Sequence, residues 1–295
     1  MKLLSPCYVV GPTGSGKSGI ALELAMRWDG EVVNADAFQI YRGLSVITAG
    51  PSEEERLQVP HHLYETVGIE EDYNVARYAK EAGVVIEEIQ SRGKRPIIVG
   101  GNGLYIKALT HGLADSPPGD IALREKLEAL PLENVVAWLE CVDPQGAQAM
   151  NLKNPRYVIR ALEMTLLSGV PASVLKAGWQ HDDPSDIVGV VITRERETLY
   201  QRINARVHDM ISHGALDEVA SLSGSLSATA AKAIGISDLQ AHLRGDVTLG
   251  EAIAAIQQAS RRYAKRQETW FRKETVFQRT PFDQVLTVIG QVLSR

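Results

Sequence analysis

One octapeptide constrains this chain more than any other feature. Gly11-Pro12-Thr13-Gly14-Ser15-Gly16-Lys17-Ser18 satisfies the full phosphate-loop pattern of two spaced glycines, a lysine and a hydroxyl. Residues 5–10 before it are short, apolar and end at a glycine, so they predict a buried strand; residues 17–27 after it carry helical periodicity. In that setting the glycines let backbone N–H groups converge on phosphate oxygens at the positive end of the helix dipole. Lys17 supplies a point charge, and the Ser18 hydroxyl can ligate Mg²⁺. The pattern identifies a ligand carrying a di- or triphosphate, not a reaction.

The rest of the chain alternates in the same way. Residues 31–35 predict a second strand ending at Asp36, Asn74 can cap a helix running to about 90, and residues 97–99 predict a strand ending at Gly100-Gly101. Strands alternating with helices imply a parallel sheet with crossover helices. After Ser116-Pro117-Pro118-Gly119 the pattern becomes helical, broken by Asn154-Pro155 and Gly169-Val170-Pro171, until the β-branched run 187–192 rejoins the sheet. Residues 200–212 and 249–271 predict further helices. The expected fold is α/β: a phosphate-loop NTPase-like parallel core of 1–119 and 186–295, with a mainly helical insertion domain over 120–185. At 295 residues this fits one large domain or two modest ones of roughly 150 residues each.

Charge narrows the partners. There are 31 Lys and Arg against 36 Asp and Glu, a net −5. Residues 257–273 hold six cations (Arg261, Arg262, Lys265, Arg266, Arg272, Lys273) and one acid, Glu268, so that segment is +5 and the remainder −10. At 100° per residue Ile256, Ser260, Tyr263, Gln267 and Trp270 share one face and the cations fall on the other. Membrane binding would want bulky apolar groups beside the cations; an RNA backbone suits the pattern better. No apolar run approaches the ~20 residues of a membrane span, and no cleavable signal precedes the motif. Two cysteines, Cys7 and Cys141, make neither a disulfide framework nor a Cys-rich zinc site. A reduced, cytoplasmic setting is the expectation. His61-His62, adjacent and without a helical or Cys partner, is a poor zinc site and predicts a loop.

An NTPase places an acid at the end of a second strand to hold its metal. Asp36 stands in such a place, whereas the strand at 97–99 ends in Gly-Gly-Asn. No guanine-recognition motif accompanies the loop, so hydrolysis-driven switching is disfavoured.

Four further segments carry a resemblance. They are Asp36-Ala37-Phe38-Gln39-Ile40-Tyr41; the stretch 93–105, Gly-Lys-Arg-Pro-Ile-Ile-Val-Gly-Gly-Asn-Gly-Leu-Tyr; the stretch 154–163, Asn-Pro-Arg-Tyr-Val-Ile-Arg-Ala-Leu-Glu; and the stretch 262–272, Arg-Tyr-Ala-Lys-Arg-Gln-Glu-Thr-Trp-Phe-Arg. With the phosphate loop, and in this order, they resemble bacterial tRNA dimethylallyltransferase. The resemblance implies transfer of a dimethylallyl group from dimethylallyl diphosphate to N6 of the adenosine just 3′ of the anticodon, with diphosphate leaving and Mg²⁺ assisting. The loop then holds prenyl diphosphate rather than ATP. Arg206 is implied as a further cation on the leaving group, and Asp36 as the general base, with metal ligation its rival role. Implied contacts to the tRNA anticodon stem-loop are Asp36, Ala37, Phe38, Gln39, Asn102, Arg124, Arg156, Tyr157, Val158, Ile159, Arg160, Arg262 and Arg266. Gln39 can offer both donor and acceptor to a flipped base; Phe38 stacks on it or belongs to the core; Tyr41 and Tyr105 are packing residues. A monomer is the family expectation.

Three positions depart from the family pattern. Ala37 stands where serine is common, Asn102 replaces a threonine expected beside the transferred group, and Tyr157 replaces a frequent arginine. Asn102 also suits a Gly-Asn-Gly turn. The competing readings are an adenylate isopentenyltransferase acting on free nucleotide and a phosphate-loop kinase of a small metabolite. Neither explains both the insertion and the basic helix.

Overall fold

Six strands form one all-parallel sheet: β1 (Cys7–Val10), β2 (Gly30–Ala35), β3 (His61–His62), β4 (Arg95–Gly100), β5 (Val188–Thr193) and β6 (Gln278–Pro281), in the order β3-β2-β4-β1-β5-β6. The computed structural model describes residues 4–113, 116–177, 187–222 and 224–293. Residues 1–3 of the N-terminal stretch and 178–185 of the expected insertion lie outside the described residues.

β1, β2 and β4 are buried along their whole length, as central strands of a parallel sheet covered on both faces must be. Their side chains alternate between two cores, following the two-residue period of a strand. Tyr8, Val10, Val33 and Ile98 enter one core with Tyr78, Val207, Ile236 and Ile256 from the helices. Cys7, Val9, Val32, Ile97 and Val99 enter the other with Ile20, Leu24, Val285 and Ile289. Each such side chain contributes roughly 1.5–3 kcal/mol of burial. Burial pushes the Cys7 thiol up to about 12, so it stays protonated.

The helices before the insertion are α1 (Lys17–Arg27), α2 (Glu53–Gln58), α3 (Val75–Ser91) and α4 (Gly103–His111). Asn74 caps α3 by accepting the Ala76 and Arg77 N–H groups, as its sequence position predicts. Next come α5 (Ile121–Glu128), α6 (Leu132–Val142), α7 (Pro144–Ala149), α8 (Pro155–Ser168) and α9 (Ala172–Ala177). After β5 follow α10 (Arg196–Ser212), α11 (Ala215–Ser221), α12 (Ile236–Leu243), α13 (Leu249–Lys273) and α14 (Val285–Leu293).

The chain divides into two compact units, Met1–Thr110 with Asp183–Arg295, and His111–Asp182. The second has a core of its own around Leu127, Val135, Leu139, Val158 and Leu162.

His61-His62 is not a loop. It pairs in parallel with Val32 and Val33 of β2, and His62 Nε2 lies 2.6 Å from the buried carboxylate of Glu31, which also accepts from Arg92 at 2.7 Å. A dipeptide edge strand held by a side-chain contact to Glu31 has no hydrophobic period to betray it.

Candidate active site at the carboxyl ends of the strands

The parallel sheet delivers every strand end to one edge, the edge where open α/β sheets bind ligands. β1 releases the phosphate loop there, β2 releases Asp36, β4 releases Gly101-Asn102 and β5 leads to Arg194. Backbone bonds tie these ends together, from Gly11 N–H to Gly100 O at 3.3 Å and from Asn102 N–H to Ala35 O at 3.2 Å.

Gly16 is the N-cap of α1 with φ 92°, and no side chain caps the helix. A Cβ at Gly16 would lie 2.7 Å from the Phe282 ring, so both backbone and space demand glycine. The uncapped helix leaves its first N–H groups to an anion. Two guanidiniums brace the loop from outside by donating to its carbonyls: Arg194 Nε to Ser15 O at 2.7 Å and Arg202 Nε to Gly14 O at 2.9 Å. Arg194 also stacks on Phe282 at 3.7 Å.

Inside the loop, Lys17 Nζ reaches back to within 3.4 Å of Pro12 O. Burial, and then the Arg206 charge, push the Lys17 ammonium down to about 8, with Asp36 acting the other way. Arg206 donates from Nη1 to Thr13 Oγ1 at 2.8 Å and from Nη2 to Thr48 O at 2.7 Å. Its Nε is buried with no partner among the described residues, and burial lowers its pKa while Asp36 raises it. Two half-buried cations thus face one carboxylate, an arrangement that an anion would complete.

Asp36 is fixed by its neighbours. Its N–H donates to Asn34 Oδ1 at 2.8 Å, and its own Oδ1 accepts the Phe38 N–H at 2.9 Å. The second carboxylate oxygen is left for another donor. Asp36, Thr13, Thr48 and Arg206 line the polar end of a cleft whose apolar wall includes Phe38, Ile203, Met210 and Ile234. Phe38 therefore serves both as cleft wall and as a partly buried neighbour of the core, while Ala37 packs against that core. Tyr41 and Tyr105 are buried packing residues.

The structure amends several site expectations. Gln39 Nε2 donates to Thr48 O at 3.1 Å and Ala49 O at 2.9 Å, so its donor is spent on backbone and the acceptor Oε1 is what remains for a base. Asn102 Oδ1 accepts the N–H groups of Leu104 and Tyr105 at 3.1 and 3.4 Å, which makes it the cap of α4. In the second unit, Val158 and Ile159 are core residues, 0% and 8% exposed, and present no side chain to RNA. Arg156 and Tyr157 on the same helix are exposed. Arg124 and Arg160 converge on the buried Glu163. On α13, Arg262 and Arg266 are exposed while Ile256, Ala264, Gln267 and Phe271 are buried, as the helical period requires.

Sequence reasoning did not single out Arg194, Arg202 or Gln267 as parts of the site. A glutamine on the inward face of an amphipathic helix was the one local signal among them, because buried amides need partners.

Comparisons with known proteins place relatives around this geometry. A family model described as IPP transferase matches residues 39–274. The chain is 45% identical over 295 residues to a tRNA dimethylallyltransferase of Geobacter metallireducens, covering 96% of each chain. It is 41% identical over 274 residues to one of Akkermansia muciniphila, covering 93% of this chain and 92% of that one. Among solved structures it is similar to a tRNA isopentenylpyrophosphate transferase from Bacillus halodurans, with TM-score 0.71, 34% identity and coverage of 98% and 96%. A eukaryotic dimethylallyltransferase acting on tRNA superposes with TM-score 0.81 at 26% identity, covering 98% of this chain and 77% of that one.

Proposed function

The chain belongs to the IPP transferase family, and we propose that it transfers a dimethylallyl group from dimethylallyl diphosphate to N6 of the adenosine 3′-adjacent to the anticodon. It is an enzyme of tRNA prenylation. The observation that carries the finer reading is the surplus of half-buried positive charge at the loop: Lys17 and Arg206 against Asp36 alone, with Arg206 Nε buried and, among the described residues, unpartnered.

The chemistry follows from the residues. The C–O bond to diphosphate breaks as the amine nitrogen forms its new C–N bond, and negative charge grows on the leaving oxygen. Loop N–H groups, Lys17 and Arg206 are pre-aimed at that charge, which is the most effective form of electrostatic catalysis. Adenine N6 is a weak nucleophile because its lone pair is delocalised, and it must shed a proton. The free oxygen of Asp36 accepts that proton. The apolar wall beside Asp36 receives the five-carbon group and keeps water from it. The target base must leave its stack to enter.

The Ser18 hydroxyl beside a diphosphate site supports Mg²⁺ as the partner ion. Among the described residues no three His, Cys, Asp or Glu gather as a metal cage. Ser18 would supply one hydroxyl, and diphosphate oxygens and waters the remainder, as is usual for this ion. When bound, the ion would share the charge of the leaving diphosphate. Exposed Arg156, Tyr157, Arg262 and Arg266 are the surface contacts we assign to tRNA. Among the described residues no helix is long and apolar enough to cross a membrane; we take the enzyme to act as a cytoplasmic monomer.

Lys17→Ala tests the assignment of the loop. Transfer should be abolished and donor binding weakened, because a charge-assisted contact to the leaving group is gone. ATP hydrolysis by the native protein should be slow and indifferent to tRNA; robust tRNA-stimulated hydrolysis would return the loop to ATP.

A further inference from the structure

Gln267 is 5% exposed on the buried stripe of α13, and both ends of its amide are engaged across the fold. Oε1 accepts the Thr13 N–H at 2.8 Å. Nε2 donates to Gly101 O at 3.0 Å. The side chain is thus a strut between the first turn of the phosphate loop and the turn after β4. Its fit is close: a Cβ at Gly101 would lie 2.1 Å from Nε2 and 2.8 Å from Gly11 O. On its other side Thr13 receives Arg206 Nη1 on its hydroxyl at 2.8 Å. Thr13 is therefore held between a glutamine on its backbone and an arginine on its side chain.

We propose that Gln267 is a positioning residue that fixes Thr13, and through it Arg206, in the geometry that grips the diphosphate. The inference rests on the reading of the loop as a diphosphate site. Gln267 does not touch the ligand. It sets the height of the loop's first turn against β4, and it removes the Thr13 N–H from the set of donors offered to phosphate. The remaining donors then act from a loop that cannot tilt. Losing the amide would leave a buried N–H and a buried carbonyl without partners, and the loop would shift to rehydrate them. The same helix carries Arg262 and Arg266 on its exposed face, so the strut and the proposed tRNA contacts are separable by mutation.

The test uses the full-length protein, inorganic pyrophosphate with Mg²⁺ as the binding probe, and steady-state prenylation of tRNA. Gln267→Met matches the length and removes both hydrogen bonds. Gln267→Glu keeps an acceptor for the Thr13 N–H and loses the donor to Gly101. Pyrophosphate affinity and kcat/KM for dimethylallyl diphosphate should each fall about tenfold or more in Gln267→Met. The KM for tRNA should stay within about twofold, and Gln267→Glu should recover a substantial part of the pyrophosphate affinity. A merely structural glutamine predicts otherwise: a lower melting temperature with pyrophosphate affinity unchanged in whichever variant folds. That result would overturn the proposal, as would Gln267→Glu binding no better than Gln267→Met, or KM for tRNA rising as much as KM for the donor. If the native protein itself does not bind pyrophosphate, the diphosphate reading fails first, and the strut with it.

Discussion

Removing the carboxylate of Glu163 should unlock the helical unit of residues His111–Asp182 without touching the phosphate loop. Glu163 is 0% exposed. It accepts Arg124 Nη2 on both oxygens at 3.0 Å, Arg160 Nη1 at 2.7 Å and the Asp120 N–H at 2.8 Å. Breaking a buried pair by deleting one partner costs about 3–5 kcal/mol. Here the two arginine side chains are 42% and 35% exposed and can rehydrate, so the expected cost of Glu163→Ala is about 2–3 kcal/mol. That is roughly a 30- to 150-fold rise in the opening constant of the unit, at tenfold per ~1.4 kcal/mol. Hydrogen exchange of the α8 amides reads it directly, with the amides of β1 and β4 as the internal control. Burial raises the Glu163 pKa, but hydrogen bonds from Arg160 and Arg124 outweigh it and hold the carboxyl below its ordinary value of 4.5. A carboxyl with a lowered folded-state pKa stabilises fully above its unfolded value, and the contribution disappears as pH falls through the folded one. The difference between the native protein and Glu163→Ala should therefore shrink as pH falls below about 4.5. Replacing Arg124, Arg160 and Glu163 together by methionine should recover most of the stability. An exchange change under about threefold in Glu163→Ala, or one spread equally over β1 and β4, would show that Glu163 does not hold the unit closed.

Three further outcomes follow from the site. Asp36→Asn keeps shape but cannot take a proton, so single-turnover transfer should fall by about 10²–10⁴ with tRNA affinity little changed; full rescue at high Mg²⁺ would make Asp36 a metal ligand instead. Neutralising Arg262 and Arg266 together should raise the KM for tRNA and flatten its salt dependence, since fewer counterions are released; an unchanged slope would mark them as a solvated face. The Lys17 ammonium, held at about 8 by burial and Arg206, loses its charge as pH rises through that value, so pyrophosphate affinity should weaken above pH 8 in the native protein and lack that break in Lys17→Arg, which does not titrate there.

What the sequence made legible, and what it hid, divides along a physical line. β1, β2 and β4 are apolar runs ending at tight turns, and Asn74 caps α3 by a bond two or three residues away; such features are local. The phosphate loop is local too. β3 and β6 were hidden: one is two histidines, the other the polar run Gln278–Pro281 at the far edge of the sheet. The Gln267 strut to Thr13 spans 254 residues, and the Glu163 grip on Arg124 spans 39. Pairings of that kind leave no period in the chain. Val158 and Ile159 teach the opposite lesson. A contiguous segment resembling an RNA-contact motif includes them, yet the helical period alone turns them inward with Leu162 and Thr165.

A phosphate loop that holds a prenyl donor must pass its five-carbon group to a tRNA adenosine. Nucleoside analysis of tRNA lacking the modification, after incubation with the purified protein, Mg²⁺ and dimethylallyl diphosphate, tests it most directly. N6-isopentenyladenosine is expected on tRNA, one per acceptor molecule, with diphosphate released in equal amount and none of either with Lys17→Ala. Unmodified tRNA under these conditions, or prenyl transfer to free AMP in preference to tRNA, would contradict it.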